Sequence, residues 1–404
     1  MLTISHTEDT HPAKAFADAC WAQNPALTPD HWRELDGITV GRVALDWRED
    51  VGSPAAVAQG FNLILTSVRT HAQAAALLAQ TLSNPAAAVT VCVLEDPAAQ
   101  LPTLSPAPTF ALWQPPYAVA GFDETAARQL LALENAAKSG LIQAYGVADV
   151  TLAAPQTSRP LHRWLQHAAQ AAEAAWGRRK RPALRLLAAP FDLLTPGLLT
   201  HATSLHHESP VTTLEHAARL SLGVIALPQA APGAQPSAAA VSALTAAAEA
   251  EQQLLAALRN QWPQVENHPL FSLLLPLSEG LPPWSTPAEA VAWCTLLPEL
   301  SAQWSSLPLP AAAGRVLAAY LPALSALPPY APALAGAAAQ SHLRAVFSHI
   351  SPKLPPAWQS LSPAALNLAL LASFPAVTAV SSAAEPPASL LTLPTLPDAA
   401  ILFK

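Results

Sequence analysis

The sequence predicts an α/β fold, a closed (β/α)₈ barrel. Three observations carry that prediction. Eight short runs, mostly β-branched or leucine-rich and buried in character, recur along the 404 residues. Helical stretches alternate with them, which is the pattern of a parallel sheet. The eighth run lies far downstream of the seventh. An open doubly wound sheet has no need of it, whereas a barrel cannot close without it.

In order, a polar lead-in with Trp21 and Trp32 precedes GITVGRVALD, Gly37 to Asp46, which alternates as a first strand. Ser53 to Gly60 reads as a short helix, Phe61 to Leu65 as the second strand, Thr70 to Leu82 as a helix and Val89 to Leu94 as the third strand. Before the fourth strand, Thr109 to Trp113, lies EDPAAQLPTLSPAP. Its Pro97, Pro102, Pro106 and Pro108 cannot hold an ordinary helix, so the third helix is shortened. Parallel strands need cover on both faces. The gap therefore calls for the downstream insertion, the N-terminal segment or another subunit. Helix Asp123 to Lys138 ends at Lys-Ser-Gly and runs into strand Leu141 to Val147, an α/β unit boundary. Helix Leu161 to Trp176, strand Ala183 to Ala189, helix Val211 to Leu220 and strand Gly223 to Leu227 follow. In the long region after Pro228, helices are expected around Ser237–Asn260, Pro287–Trp304, Ala311–Leu324 and Ala333–Ser348. Helix Pro363 to Ser373 and strand Ala376 to Ser381 complete the barrel. The expected organisation is an N-terminal extension (1–36), barrel strands one to seven (37–228), a Pro/Ala-rich helical insertion (229–360), and the last helix and strand with a tail (361–404).

Composition narrows the function. Charged residues make up 12% and apolar residues 51%, leaving little material for a solvated surface. Either another protein covers part of the exterior, or a GC-rich genome writes Ala and Pro wherever they are tolerated; the two readings are compatible. A net charge of −7 argues against general nucleic-acid binding. Cys20, Cys92 and Cys294 are scattered and odd in number, which fits buried thiols in a reducing compartment. The N-terminus has no apolar core and carries early acids, unlike a secretory signal or a good organelle presequence. The uncharged stretches near Val316–Leu343 and Leu354–Ala384 are cut by prolines, so no transmembrane span is expected.

The wording of several pieces, in order, resembles the aldo-keto reductases: FNLILTSVRTHAQAAALLAQTL, ENAAKSGLIQAYGVADV, TTLEHAARLSLGVIALPQ and ALNLALLASFPAVTAVSSA. The resemblance covers roughly Gly37 to Pro228 and Pro363 to Leu390 and implies a barrel of aldo-keto reductase type. It also implies a Tyr proton donor tuned by Asp and Lys, a His that orients the carbonyl, and NADPH. A Tyr hydroxyl, with a pKa near 10, needs such tuning to act as a general acid. At the matching positions this chain has Leu65 for the Asp, Thr70 for the Tyr, Leu94 for the Lys and Gln114 for the His. The nicotinamide contacts fall on Ala148, Asp149 and Ala188, the stacking ring on Leu227, and the phosphate cation on Glu385. Every one of these positions is vacated, and an acid where the cation belongs repels phosphate.

Other chemistry is sparse. His201, His206, His207 and His216 lack a standard zinc spacing and read as a solvated loop, with no metal expected. Arg178, Arg179, Lys180, Arg181 and Arg185 form the basic cluster, read as a loop at the N-terminal face of the barrel or, next, as a dock for an acidic partner, a lipid headgroup or RNA. Trp262, Trp284, Trp293, Trp304 and Trp358 fall in the insertion; burial is the commoner fate of Trp, but interface anchors are enriched in it. The sequence thus leads to an expected inactive barrel without cofactor or NADPH, a structural or accessory subunit whose partners are other protein subunits. Its expected location is an organelle such as the mitochondrion, with the cytoplasm as the alternative. The alternative function is a divergent NADPH-dependent oxidoreductase using Tyr117 or Tyr145 at the barrel mouth. A third is a small-molecule sensor using the vacated pocket.

Overall fold

The computed structural model describes residues 32–52, 57, 61–82, 87–116, 121–154, 159–177, 181–193, 195–228, 237–260, 287–306, 309 and 311–382. The chain divides into two compact units, 1–228 with 350–404, and 229–349. The expected insertion boundary at 360 thus moves upstream. The short turns at Ser351–Lys353 and Pro356–Gln359 belong to the barrel unit.

The barrel unit holds eight parallel strands: β1 (Val43–Trp47), β2 (Leu63–Ser67), β3 (Val89–Leu94), β4 (Phe110–Trp113), β5 (Ala144–Ala148), β6 (Leu184–Pro190), β7 (Gly223–Leu227) and β8 (Ala379–Ser382). They close in sequence order, with β8 pairing β1 and β7, so the expected (β/α)₈ barrel is present. In-phase residues of all eight strands form one interior cluster, among them Ala44, Leu63, Val91, Phe110, Ala144, Leu186, Ile225 and Ala379. The alternate residues, such as Val43, Leu45 and Ile64, pack outward with Ala74 and Leu78 of α1 (Val68–Thr81).

The expected first strand, Gly37 to Asp46, is two strands. Trp32–Leu35 and Ile38–Gly41 pair as an antiparallel hairpin across Asp36 (φ +48°) and Gly37 (φ +81°), and β1 starts afterwards at Val43. Two successive left-handed residues in Asp-Gly give a hairpin turn of type I′ character. Leu35, Ile38 and Val40 enter the interior cluster. Asp36 O accepts from Gln143 Nε2 (2.9 Å), its carboxylate from Arg185 Nε (3.0 Å), and Asn62 Oδ1 from Gly41 N (2.9 Å). These partners sit at strand starts, so the hairpin plugs the N-terminal end of the barrel.

The proline-rich segment provides its own cover. Asp96 caps a single turn, α2 (Pro97–Gln100), and a 3₁₀ turn follows at Leu101–Thr103. Pro97 and Leu101 are buried, and Gln129 of α3 (Phe122–Lys138) donates to Asp96 and accepts from Ala98 N. The flank expected to need an outside cover is therefore at least partly closed by EDPAAQL itself. Helix α4 (Leu161–Trp176) lies against α3. Next come α5 (Gly197–Thr200), a small hairpin of Ser204–His206 with Ser209–Val211, and α6 (Thr213–Arg219). The hairpin stands where the sequence suggests only a loop.

The second unit is helical: α7 (Ala238–Arg259), α8 (Pro287–Ser305), α9 (Ala311–Ser325) and most of α10 (Ala331–Ile350). It has its own core, including Leu254, Leu258, Leu297, Leu317, Tyr320 and Leu324. Trp304 is buried there and Trp293 packs against it; Trp358 is buried in the barrel unit; Trp262 and Trp284 lie outside the described residues. By length and composition, the stretch Ala311–Tyr330 is apolar enough to cross a membrane. It also carries Pro322 and lays Leu317, Tyr320 and Leu324 into that core.

Candidate functional site

Barrels of this kind carry their chemistry at the C-terminal ends of the strands. There the interior stripe turns polar on β1, β2 and β8 and stays apolar on β3 and β7. Asp46, Ser67, Val93, Leu227 and Ser381 each lie two residues beyond an interior residue of the same strand. Ser381 Oγ donates to Asp46 Oδ2 at 2.9 Å. Arg48 grips the same carboxylate with Nε on Oδ1 (2.8 Å) and Nη2 on Oδ2 (2.5 Å), a bidentate, charge-assisted pair. Ser67 Oγ donates to Arg48 O (2.7 Å), and Ser67 N to Thr70 Oγ1 (3.0 Å) at the start of α1. Burial works to raise the Asp46 carboxyl, but the bonds and charge of Arg48, helped by Ser381, outweigh it and hold the group below the usual value. Asp46 is therefore ionised, saturated with donors and a weak base, suited to bracing β8, β1 and β2 rather than moving protons. Sequence reasoning misses this group. Its signal was available, an Asp in phase with Ala44 just before the end of the first strand.

Leu65, Ala148 and Ala188 belong to the apolar interior cluster, and Leu227 packs on it. Thr70 is buried in the cap of α1, Leu94 is buried out of phase with the interior stripe of β3, and Gln114 is exposed beyond β4. Asp149 is fully occupied elsewhere: it accepts from Thr151 N (2.9 Å) and Trp164 Nε1 (3.1 Å), with Arg159 Nε at 3.4 Å. Burial raises its carboxyl, against the pull of Arg159 and these bonds. Glu385 and Tyr117 lie outside the described residues.

Tyr145, mid-strand in β5, points away from the interior. Its hydroxyl donates to Glu134 Oε1 on α3 at 2.9 Å, and burial, then the charge of Glu134, push it well above its ordinary pKa. It is not placed to protonate anything at the mouth.

Two further clusters contain chemically interesting side chains. Thr66, on the outer face of β2, lies 3.0 Å from His71 Nδ1, and His71 Nε2 bonds Pro106 O at 2.8 Å. Only a donor can meet a carbonyl, so Nε2 carries the proton and Nδ1 accepts from Thr66. Cys92, opposite Thr66, is buried, and burial pushes its thiol up to about 11 despite a hydrogen bond with Thr66. That thiol is not a nucleophile at neutral pH. In the second cluster, Ser204 Oγ lies 2.7 Å from His216 Nδ1 and accepts from His162 N (3.1 Å). His201 Nδ1 contacts Ala153 O at 3.1 Å, and His206 stacks edge-on near both His207 and His216. Ser204 is wholly buried, out of reach of a substrate. Among the described residues no three His, Cys, Asp or Glu side chains converge on a metal position.

Of the basic cluster, Arg185 pairs with Asp36 and Arg181 bonds Leu220 O (3.1 Å), while Arg178, Arg179 and Lys180 lie outside the described residues. No protein-family model matches the chain, and no curated protein matches it.

Proposed function

We propose that this chain is a catalytically vacated barrel that resembles the aldo-keto reductases and serves as a structural or accessory subunit of a larger protein assembly, in an organelle such as the mitochondrion. The observation that carries this reading is the state of the mouth. Its carboxylate, Asp46, is saturated by Arg48 and Ser381, and the positions that would hold an acid and nicotinamide contacts are the apolar Leu65, Ala148 and Ala188 of the interior. A low charge fraction supports the second half of the proposal, since a partner would cover surface that few charges solvate. Two measurements test it. The purified chain is titrated with NADPH while tryptophan fluorescence is followed, and the native complex is sized in its source. No saturable quenching, together with a native mass well above that of the chain, is expected. Saturable quenching at micromolar NADPH, or reduction of an aldehyde by NADPH, would overturn the reading.

A further inference from the structure

We propose that the hairpin 204–211, on the C-terminal face of the barrel unit, is an acid-released latch held shut by neutral His162 and His216. The hairpin follows β6 and precedes α6, and it is fastened from beneath rather than by its turn. Leu205 N donates to His162 Nδ1 at 3.2 Å, while His162 N donates to Ser204 Oγ at 3.1 Å. Ser204 Oγ in turn meets His216 Nδ1 at 2.7 Å, a contact that a hydroxyl can make with either protonation state of the ring. Protonating His216 therefore loosens the hairpin through charge against His206 and His162. An acceptor nitrogen carries no proton, so the bond from Leu205 exists only while His162 is neutral. His216 is buried beside His206, whose ring centroid lies 5.1 Å away.

The charges around these rings favour release. His162 has Arg163 beside it; His216 faces His206, His162 and Arg219; His206 faces His207, Arg219 and Glu215. Glu215, the acid among them, is bonded to Arg219 at 2.6 Å. The turn adds a second push. His207 (φ +48°) and Glu208 (φ +65°) are both left-handed without being glycine, so the closed hairpin stores local strain. Leu205 is 47% exposed, so Val211 is the apolar side chain of the hairpin whose burial opposes opening.

The sign follows from linkage. Burial first, then His206, His162 and Arg219, depress His216 to about 4 in the closed state, against about 6.5 in a released, solvated one. The released state thus binds more protons between those values. Closure is full above pH 6.5 and is lost as pH falls, by up to about tenfold per unit for each such histidine.

Hydrogen exchange of the full chain, corrected for the intrinsic pH effect, tests this at pH 7.5 and 5. Protection of the amides over 203–212 is expected to fall by roughly tenfold or more, with β2 and β3 unchanged. In the double variant His162→Gln/His216→Gln the same segment should show no pH-dependent loss. Because that variant could leave the hairpin open at every pH, the imidazole nitrogens of the unmodified chain are titrated by NMR as well. Coincident midpoints for protonation of His162 or His216 and for loss of protection support the latch. Flat protection across this range, a pH-dependent loss that persists in the double variant, or midpoints that do not coincide would overturn it.

Discussion

Glu134 shows how a buried carboxylate can be wholly structural. It lies on α3 with no exposed surface and accepts from Tyr145 OH (2.9 Å), Trp176 Nε1 (3.1 Å) and Ala183 N (2.7 Å). Those donors belong to β5, α4 and the start of β6, so one side chain ties three segments together. Glu134→Leu leaves all three donors without it and should cost about 3–5 kcal/mol in urea denaturation. Glu134→Gln keeps an acceptor for two of them and should cost roughly 1–2 kcal/mol. Equal losses in the two variants would refute this assignment. His71 gives a pH-dependent counterpart. Burial lowers its pKa, against the bond to Pro106 O, so the unfolded chain binds its proton first. Its contribution is complete above pH 6.5 and declines as pH falls, with a slope of at most about 1.4 kcal/mol per unit. Stability measured at pH 7.5 and 5.5 should therefore converge in His71→Gln relative to the parent chain. An unchanged difference between the two pH values would remove His71 from the account.

Among the elements, the hairpin 32–41 is the piece whose loss should be felt most. Leu35, at 1% exposure, reaches the interior cluster, and a side chain on Gly223 at the start of β7 would collide with it. Leu35→Ala should cost about 2–4 kcal/mol through the cavity it leaves. Gly37→Val should cost about 1–2 kcal/mol through its left-handed backbone alone. Both are read as shifts in the denaturation midpoint, and a neutral Leu35→Ala would mean the plug is dispensable. This hairpin was legible: Leu-Asp-Gly-Ile between apolar runs is a strong turn signal, and reading Gly37 to Asp46 as one strand passes over it. Strands β3 and β7 and helix α4 were legible to the residue, since long periodic or β-branched runs leave little choice. Facing was not. In β5 every residue is buried, so nothing in AYGVA says whether Tyr145 points in or out; the bulge at Tyr145/Gly146 shifts the register against β6 there. The mouth was hidden for a related reason, because Asp46 draws its bonds from Arg48 nearby and from Ser381 at the far end of the chain.

At the scale of the whole molecule, the question is whether the helical unit depends on the barrel unit for its stability. Its buried cluster is built of residues between Ala240 and Ala335. Leu258 and Leu324 are wholly buried in it, and Tyr320 OH donates to Glu251 Oε2 at 2.7 Å, joining α9 to α7. Burial and then the charge of Glu251 hold the Tyr320 hydroxyl in its protonated, donating form far above its ordinary pKa. A cluster of aliphatic side chains on several long helices is enough to fold cooperatively, and a unit with its own core can unfold as its own step. The two units should therefore lose structure in separable transitions. Leu258→Ala should remove about 2–5 kcal/mol from the helical unit. Exchange measured peptide by peptide in rising urea should show early deprotection of 238–259 and 311–325, with the barrel strands retaining their protection. Should β3 and β7 deprotect in step with α7 in that variant, the chain folds as one cooperative body and the insertion contributes to the stability of the barrel.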